Sequence, residues 1–130
     1  MMNPSLLLGS PTIDHQHQGL FALLERLSSL PRAQEHEEEI SDILGKLTKQ
    51  LQHHFLTEET VMDRLAMPST LVRAHYAAHH RIVEELTQLH MDSMAGRQRP
   101  LETIIAVVGQ WVYQHIVEYD LEMKPYLNGK

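Results

Sequence analysis

Apolar residues recur along most of the chain at alternating steps of three and four, which is the spacing of one face of an α-helix. Prolines and glycines are few and cluster between these segments, near residues 30–33, 67–70 and 95–100. The pattern therefore predicts four long helices joined by short loops. Four such helices in a chain of 130 residues are typical of an all-α, up-down-up-down antiparallel four-helix bundle around one core.

The helix boundaries follow from residues that start or stop helices. Residues 1 to about 12 are predicted to form an N-terminal arm, with the whole chain, 1–130, as a single domain. Ser69 or Thr70 is predicted to cap the third helix, and Pro100 suits the first turn of the fourth. The fourth helix is predicted to stop at Pro125.

Polar side chains interrupt the apolar stripe of every predicted helix. The stripe positions that carry histidine or glutamate are His17, His54, Glu58, His75, His79 and His115. An unpaired buried polar group costs roughly 1–3 kcal/mol, so a small bundle cannot bury six unless they satisfy one another or share a ligand. In an antiparallel bundle all six lie at a similar level near one end. We therefore predict a metal site in that layer.

The stripe also separates the predicted ligands from polar neighbours in the sequence. In the segment LQHHFLTEETVM, residues 51–62, Glu58 falls on the core face while Glu59 does not. The same criterion predicts that the remaining histidines face solvent: His15, His36, His53, His80 and His90. Two of them, His15 and His53, adjoin predicted ligands and could still act from outside the ligand set.

Composition narrows the function. The chain has ten histidines and no cysteine, which excludes disulfides and thiolate metal sites. Its net charge of −6 and the lack of a basic run argue against nucleic acid and anionic membranes as partners. The sequence shows no signal peptide and no membrane span, so we expect a cytoplasmic protein.

The ligand types indicate which metals the site suits. Imidazoles with carboxylates suit iron, zinc, copper or nickel, whereas magnesium and calcium prefer oxygen ligands throughout. Six ligands are too many for one tetrahedral zinc, so two metals bridged by carboxylate fit better. No glutamate has a histidine three residues later, which disfavours the ferritin-like di-iron class, and the metalloprotease pattern His-Glu-x-x-His is absent.

Four motifs together resemble the hemerythrins, in particular the single-domain bacteriohemerythrins. They are GSPTIDHQHQGLF, HFLTEETVM, HYAAH and WVYQHIVEYD, and they span residues 9 to 120 in the family's order and spacing. The resemblance implies a non-haem di-iron centre with an oxo bridge that binds O2 reversibly as hydroperoxide. One iron would be held by three histidines and the other by two, with two bridging carboxylates: His75, His79 and His115; His17 and His54; Glu58 and Asp120.

The resemblance also implies where O2 binds and leaves the biological role open. Five histidines, two bridging carboxylates and the oxo bridge fill eleven of the twelve positions of two octahedral ions, which leaves one open on the two-histidine iron. The side chains implied around that position are Leu20, Phe55, Trp111 and Ile116. Carriage, storage, sensing and delivery of O2 all fit a binding protein without catalytic residues. The alternatives are a di-iron enzyme acting on peroxide or nitric oxide, and a regulatory module that responds to iron or O2.

Asp120 is the one implied ligand that helical periodicity does not select. It lies five residues after His115, about 140° away around an ideal helix, and the stripe would have selected Glu118 or Glu122. We therefore expect the fourth helix to depart from ideal geometry between His115 and Asp120, through a single-turn π-bulge. Alternatively, Asp120 reaches across from an adjacent part of the helix without a bulge.

Overall fold

The predicted fold class is confirmed by a computed structural model that describes residues 7–31, 37–97 and 99–127. Its long helices are α1 (Pro11–Ser28), α2 (Glu37–Met62), α3 (Ser69–Met94) and α4 (Leu101–Glu118). A 3-10 helix (Asp120–Met123) and a short α5 (Lys124–Leu127) follow, and no strand occurs among the described residues. Both α1 and α3 pack against α2 and α4, so the helices follow one another around the bundle in chain order. No described helix is long and apolar enough to span a membrane.

The start of α1 is fixed by its cap and by the residues just before it. Ser10 is the N-cap of α1, and its hydroxyl accepts a hydrogen bond from the Ile13 amide. The helix begins at Pro11, slightly earlier than expected from an arm of residues 1 to about 12. The Asp14 carboxylate accepts from the backbone amides of Leu8, at 2.8 Å, and Gly9, at 3.1 Å. Gly9 has a φ of 93°, a conformation that favours glycine. The end of the arm is therefore held against α1.

The predicted boundaries of the third and fourth helices were partly wrong. Pro68 and Pro100 are the N-caps of α3 and α4, and neither Ser69 nor Thr70 caps α3. Both prolines have extended backbone, and because an N-cap needs no amide hydrogen of its own, proline is tolerated there. The fourth helix ends at Glu118 instead of at Pro125, which lies within α5.

The apolar stripes form the core with three local corrections. The sequence predicts Leu24, Val61 and Trp111 as stripe positions, but each is only partly buried. The buried residue is a neighbour in each case: Leu23 in α1, Met62 in α2 and Val112 in α4. Neighbouring positions such as these lie about 60° to one side and 40° to the other side of the stripe, so periodicity alone does not choose between them. The packing of the adjacent helices decides which one is buried.

The predicted polar layer lies between two apolar clusters. The larger cluster fills most of the bundle, and the smaller one consists of four buried residues: Leu8, Ile13, Met62 and Met123. Along α1, His17 stands between Ile13 of the small cluster and Leu20 of the large one. Apolar packing on both sides therefore keeps the polar layer out of water.

One histidine predicted to face solvent is instead partly buried. The His90 ring lies so close to Gly45 that a Cβ atom there would be 3.1 Å from His90 Cε1. The absence of a side chain at Gly45 thus makes room for this ring between α2 and α3. His15, His53 and His80 are exposed as predicted, and His36 lies outside the described residues.

Candidate metal centre

The structure brings all seven predicted ligand side chains into one buried cluster. Their exposed fractions are 5% or less. The ligand atoms fall into two overlapping groups, within each of which the atoms lie no more than 4.8 Å apart. One group contains three histidines and the other two, and both include the same two carboxylates: His75, His79, His115, Glu58 and Asp120; His17, His54, Glu58 and Asp120.

Glu58 turns one oxygen toward each histidine group. Its Oε1 lies 2.9 Å from His79 Nε2 and 3.4 Å from His75 Nε2, on the three-histidine side. Its Oε2 lies 3.3 Å from His54 Nε2 and 3.9 Å from His17 Nε2, on the two-histidine side. The carboxylate therefore has the orientation needed to bridge two cations, one in each group.

Asp120 is arranged in the same way from the opposite side of the cluster. Its Oδ1 lies 2.9 Å from His75 Nε2 and 3.0 Å from His115 Nε2. Its Oδ2 lies 2.9 Å from His17 Nε2 and 3.7 Å from His54 Nε2. Both shared carboxylates thus divide their two oxygens between the two histidine groups.

The end of α4 explains how Asp120 reaches the cluster. The predicted departure from ideal geometry is present, but the predicted π-bulge is wrong because the helix ends instead. Tyr119 has a φ of −118°, its amide still donates to the His115 carbonyl, and the 3-10 helix begins at Asp120. Ending the helix frees Asp120 from the 140° offset of a continuous helix. Glu118 and Glu122, which periodicity had favoured, are exposed.

The donor set fits a cation. The His17 and His54 Nε2 atoms face each other at 3.0 Å, a contact in which at most one can act as an acceptor. His115 Nε2 and Glu58 Oε2 are buried and lie near charged partners, but neither makes a hydrogen bond of good geometry among the described residues. Buried donors and acceptors left in this state are costly, and a bound cation would use their lone pairs.

Binding of a metal would change the protonation of the clustered side chains. Burial alone would lower the pKa of His54 and of His75, but Glu58 and Asp120 outweigh burial and raise the pKa of each to about 9. Burial also opposes ionisation of Asp120, yet the histidines around it, His115 first, hold its pKa well below the ordinary value. Without metal, His54 and His75 thus carry protons that a metal must displace.

Two side chains outside the ligand set contact clustered histidines at the outer nitrogen, Nδ1, which faces away from the cluster. Gln16 Oε1 lies 2.7 Å from His54 Nδ1, and Glu59 Oε2 lies 3.0 Å from His79 Nδ1. The sequence did not reveal either contact, since Gln16 and Glu59 lie off the apolar stripes. Adjacency to a predicted ligand was the only available signal, and it does not distinguish them from exposed neighbours such as His53.

An apolar cavity adjoins the two-histidine side of the cluster. Its free volume is about 10 Å³, and it is lined by both histidines of that group together with His115 and Asp120. The four side chains implied by the resemblance all line it: Leu20, Phe55, Trp111 and Ile116. Leu51, Ile82 and Val112 complete the apolar wall, and sequence reasoning had assigned them no part in the site.

Comparisons with known proteins agree with this geometry. The model of the hemerythrin HHE cation binding domain matches residues 8–127. Bacteriohemerythrins from strains of Campylobacter jejuni subsp. jejuni are 23% identical over 123 residues, covering 95% of this chain and 91% of theirs. A crystal structure of wild-type hemerythrin superimposes with a TM-score of 0.78 at 27% identity, covering 89% of this chain and 87% of that one. The chain belongs to the hemerythrin family.

Proposed function

We propose that this chain holds two non-haem iron ions and binds O2 reversibly. The observation that carries the proposal is the division of each shared carboxylate between two histidine groups, which matches two cations bridged by Glu58 and Asp120. One ion would be held by three histidines and the other by two: His75, His79 and His115; His17 and His54. Nitrogen and carboxylate donors in this proportion suit iron, and iron would supply the electrons that hold O2.

The position of the cavity supports O2 as the ligand. It adjoins the group with fewer histidines, which is where an ion would keep an open position. A free volume of about 10 Å³ is about the minimum for one water-sized molecule, so only a very small ligand fits without rearrangement. Apart from the ligand set, the cavity is lined by apolar side chains only. Such walls admit an uncharged diatomic molecule more readily than water or an anion.

The same walls favour reversible binding over turnover. Catalysis on peroxide or nitric oxide would need a positioned proton donor or acceptor beside the bound molecule. Among the residues lining the cavity, the only titratable side chains belong to the proposed ligand set. Leu20, Phe55, Trp111 and Ile116 therefore serve to exclude water from the vacant position. Excluding water and anions would keep bound O2 from being protonated or displaced and leaving as peroxide, which would carry the electrons away and leave the iron oxidised.

Metal analysis of the purified protein with optical spectroscopy tests this function. We expect two irons per chain and a visible charge-transfer band that appears in air, disappears when O2 is removed, and returns on re-exposure. A single zinc per chain, or two irons whose spectrum does not respond to O2, would contradict the proposal. A band that bleaches after one cycle with consumption of added peroxide would favour the enzyme alternative.

A further inference from the structure

The two histidine groups differ in the side chains that hydrogen-bond to Nδ1, the ring nitrogen that faces away from the cluster. In the two-histidine group the outer nitrogen of His54 faces the neutral amide of Gln16, at 2.7 Å. In the three-histidine group the outer nitrogen of His79 faces the carboxylate of Glu59, at 3.0 Å. The other three clustered histidines have buried Nδ1 atoms without a partner among the described residues: His17, His75 and His115. Each group therefore has one externally held histidine, and the two acceptors differ in charge.

The orientation of the Gln16 amide is fixed by a short chain of hydrogen bonds. Thr57 has one hydroxyl hydrogen, which it donates to the His53 carbonyl at 3.1 Å. Thr57 Oγ1 must therefore accept from Gln16 Nε2, also at 3.1 Å, and this turns Gln16 Oε1 toward His54. Because an amide oxygen only accepts, His54 Nδ1 is the donor. A neutral His54 ring then has its lone pair on Nε2, which faces the cluster.

Glu59 acts on His79 in the same direction but with a full charge. An ionised carboxylate only accepts, so His79 Nδ1 donates to it and Nε2, 2.9 Å from Glu58 Oε1, faces the cluster. A carboxylate acceptor draws the Nδ1 proton more strongly than an amide does, which makes Nε2 a stronger electron donor to a bound cation. Glu59 is 29% exposed, so part of its charge is screened by water.

We propose that the unequal pair Gln16 and Glu59 makes the two iron ions electronically inequivalent, with the ion of the three-histidine group the more easily oxidised. The inference rests on the proposed function, because it concerns iron held by these residues. Neither side chain touches the ligand cavity or the shared carboxylates through a described contact, so both are positioning residues. Oxidation of the centre would then begin on the three-histidine side.

Two isosteric substitutions separate charge from hydrogen bonding. Glu59→Gln keeps an acceptor for His79 and removes the charge, whereas Gln16→Glu adds a charge on the His54 side. Glu84→Gln is the matched control, because Glu84 is exposed on α3 and its ion pair is with the exposed ring of His80, at 3.5 Å. The readout is a redox titration of the iron-loaded proteins, with iron per chain determined on the same samples.

We expect the two variants to shift the mean reduction potential of the iron pair in opposite directions. We also expect one effect that both have in common. Glu59→Gln makes the iron harder to oxidise and Gln16→Glu makes it easier, each by roughly tenfold in the oxidation equilibrium, which is the lower end of what changed outer partners do to the affinity or activity of metal sites. In both variants the gap between the two one-electron steps narrows, since both acceptors become alike. Glu84→Gln leaves potentials and gap as in the unmodified protein.

The possible failures are distinguishable. If the unmodified protein does not hold two irons, the proposed function fails. Suppose that it holds two irons, and that both variants have the same mean reduction potential and the same gap between the two one-electron steps as the unmodified protein. The proposed function then stands and this inference is overturned. Loss of iron from both variants would also overturn it, because the two side chains would then serve to retain metal and not to set its potential.

Discussion

Leu20 offers the most direct test of the cavity's role in keeping bound O2 from oxidising the iron. It lies one turn after His17 on α1, is 1% exposed, and lines the cavity beside the two-histidine group. Leu20→Ser would enlarge a cavity that now has about the minimum volume for one water, and would put a hydroxyl in its apolar wall. Water would then gain both space and a partner next to the proposed open position.

The size of the effect follows from that partner. One hydrogen bond to the new hydroxyl stabilises a water in the cavity by about 1 kcal/mol, which raises its occupancy about fivefold. We expect autoxidation to accelerate by about the same factor, because water supplies the protons that release bound O2 in reduced form. Iron content should remain at two per chain, since Leu20 is not in the proposed ligand set.

The assay is the decay of the oxygenated spectrum in air, compared with a control that is equally disruptive. Leu47→Ser truncates another fully buried leucine, two turns before His54 on α2 and not among the residues lining the cavity. Both substitutions should lower the free energy of unfolding by about 2–5 kcal/mol. If the two variants autoxidise at the same rate, Leu20 contributes packing alone and the water-exclusion argument is refuted.

Three further experiments test the site itself. His54→Ala should lower iron content while His53→Ala, at an exposed neighbouring position, leaves two irons per chain; equal losses would remove the basis for separating them. Asp120→Asn should likewise reduce iron binding, with exposed Glu122→Gln as the control that leaves it intact, and the reverse result would assign the bridge to Glu122. In the metal-free protein, the raised pKa of His54 and of His75, about 9, contributes stability that is complete below the unfolded value of 6.5 and is lost as pH rises through 9. The lowered pKa of Asp120 contributes stability above its unfolded value of 3.8 that is lost at lower pH. Urea midpoints measured with a chelator should therefore be highest between about pH 4 and 6.5 and fall by pH 9.5, and midpoints that rise over that range would contradict the charge assignment.

The sequence by itself determined the four helices and the histidines and glutamate of their stripes that lie inside. Burial along a helix follows from a local periodicity, so the choice of His54 and Glu58 over His53 and Glu59 could be made from spacing alone. The convergence of the histidines on one layer also followed, because short loops make neighbouring helices antiparallel and fix the level of each residue. Resemblance to a family supplied the pairing of histidines with individual irons.

The tertiary structure decided the features that depend on more than one helix or on the end of a helix. Asp120 reaches the cluster because α4 stops at Glu118 and a tighter turn follows, a change of backbone that no periodic pattern contains. Gln16 and Glu59 meet histidines of other helices, and such contacts depend on how far apart and how rotated two helices are. The burial of Val112 in place of Trp111 has the same origin. Periodicity assigns a side chain to a face of its own helix, whereas the partner it meets is set by the placement of a second helix.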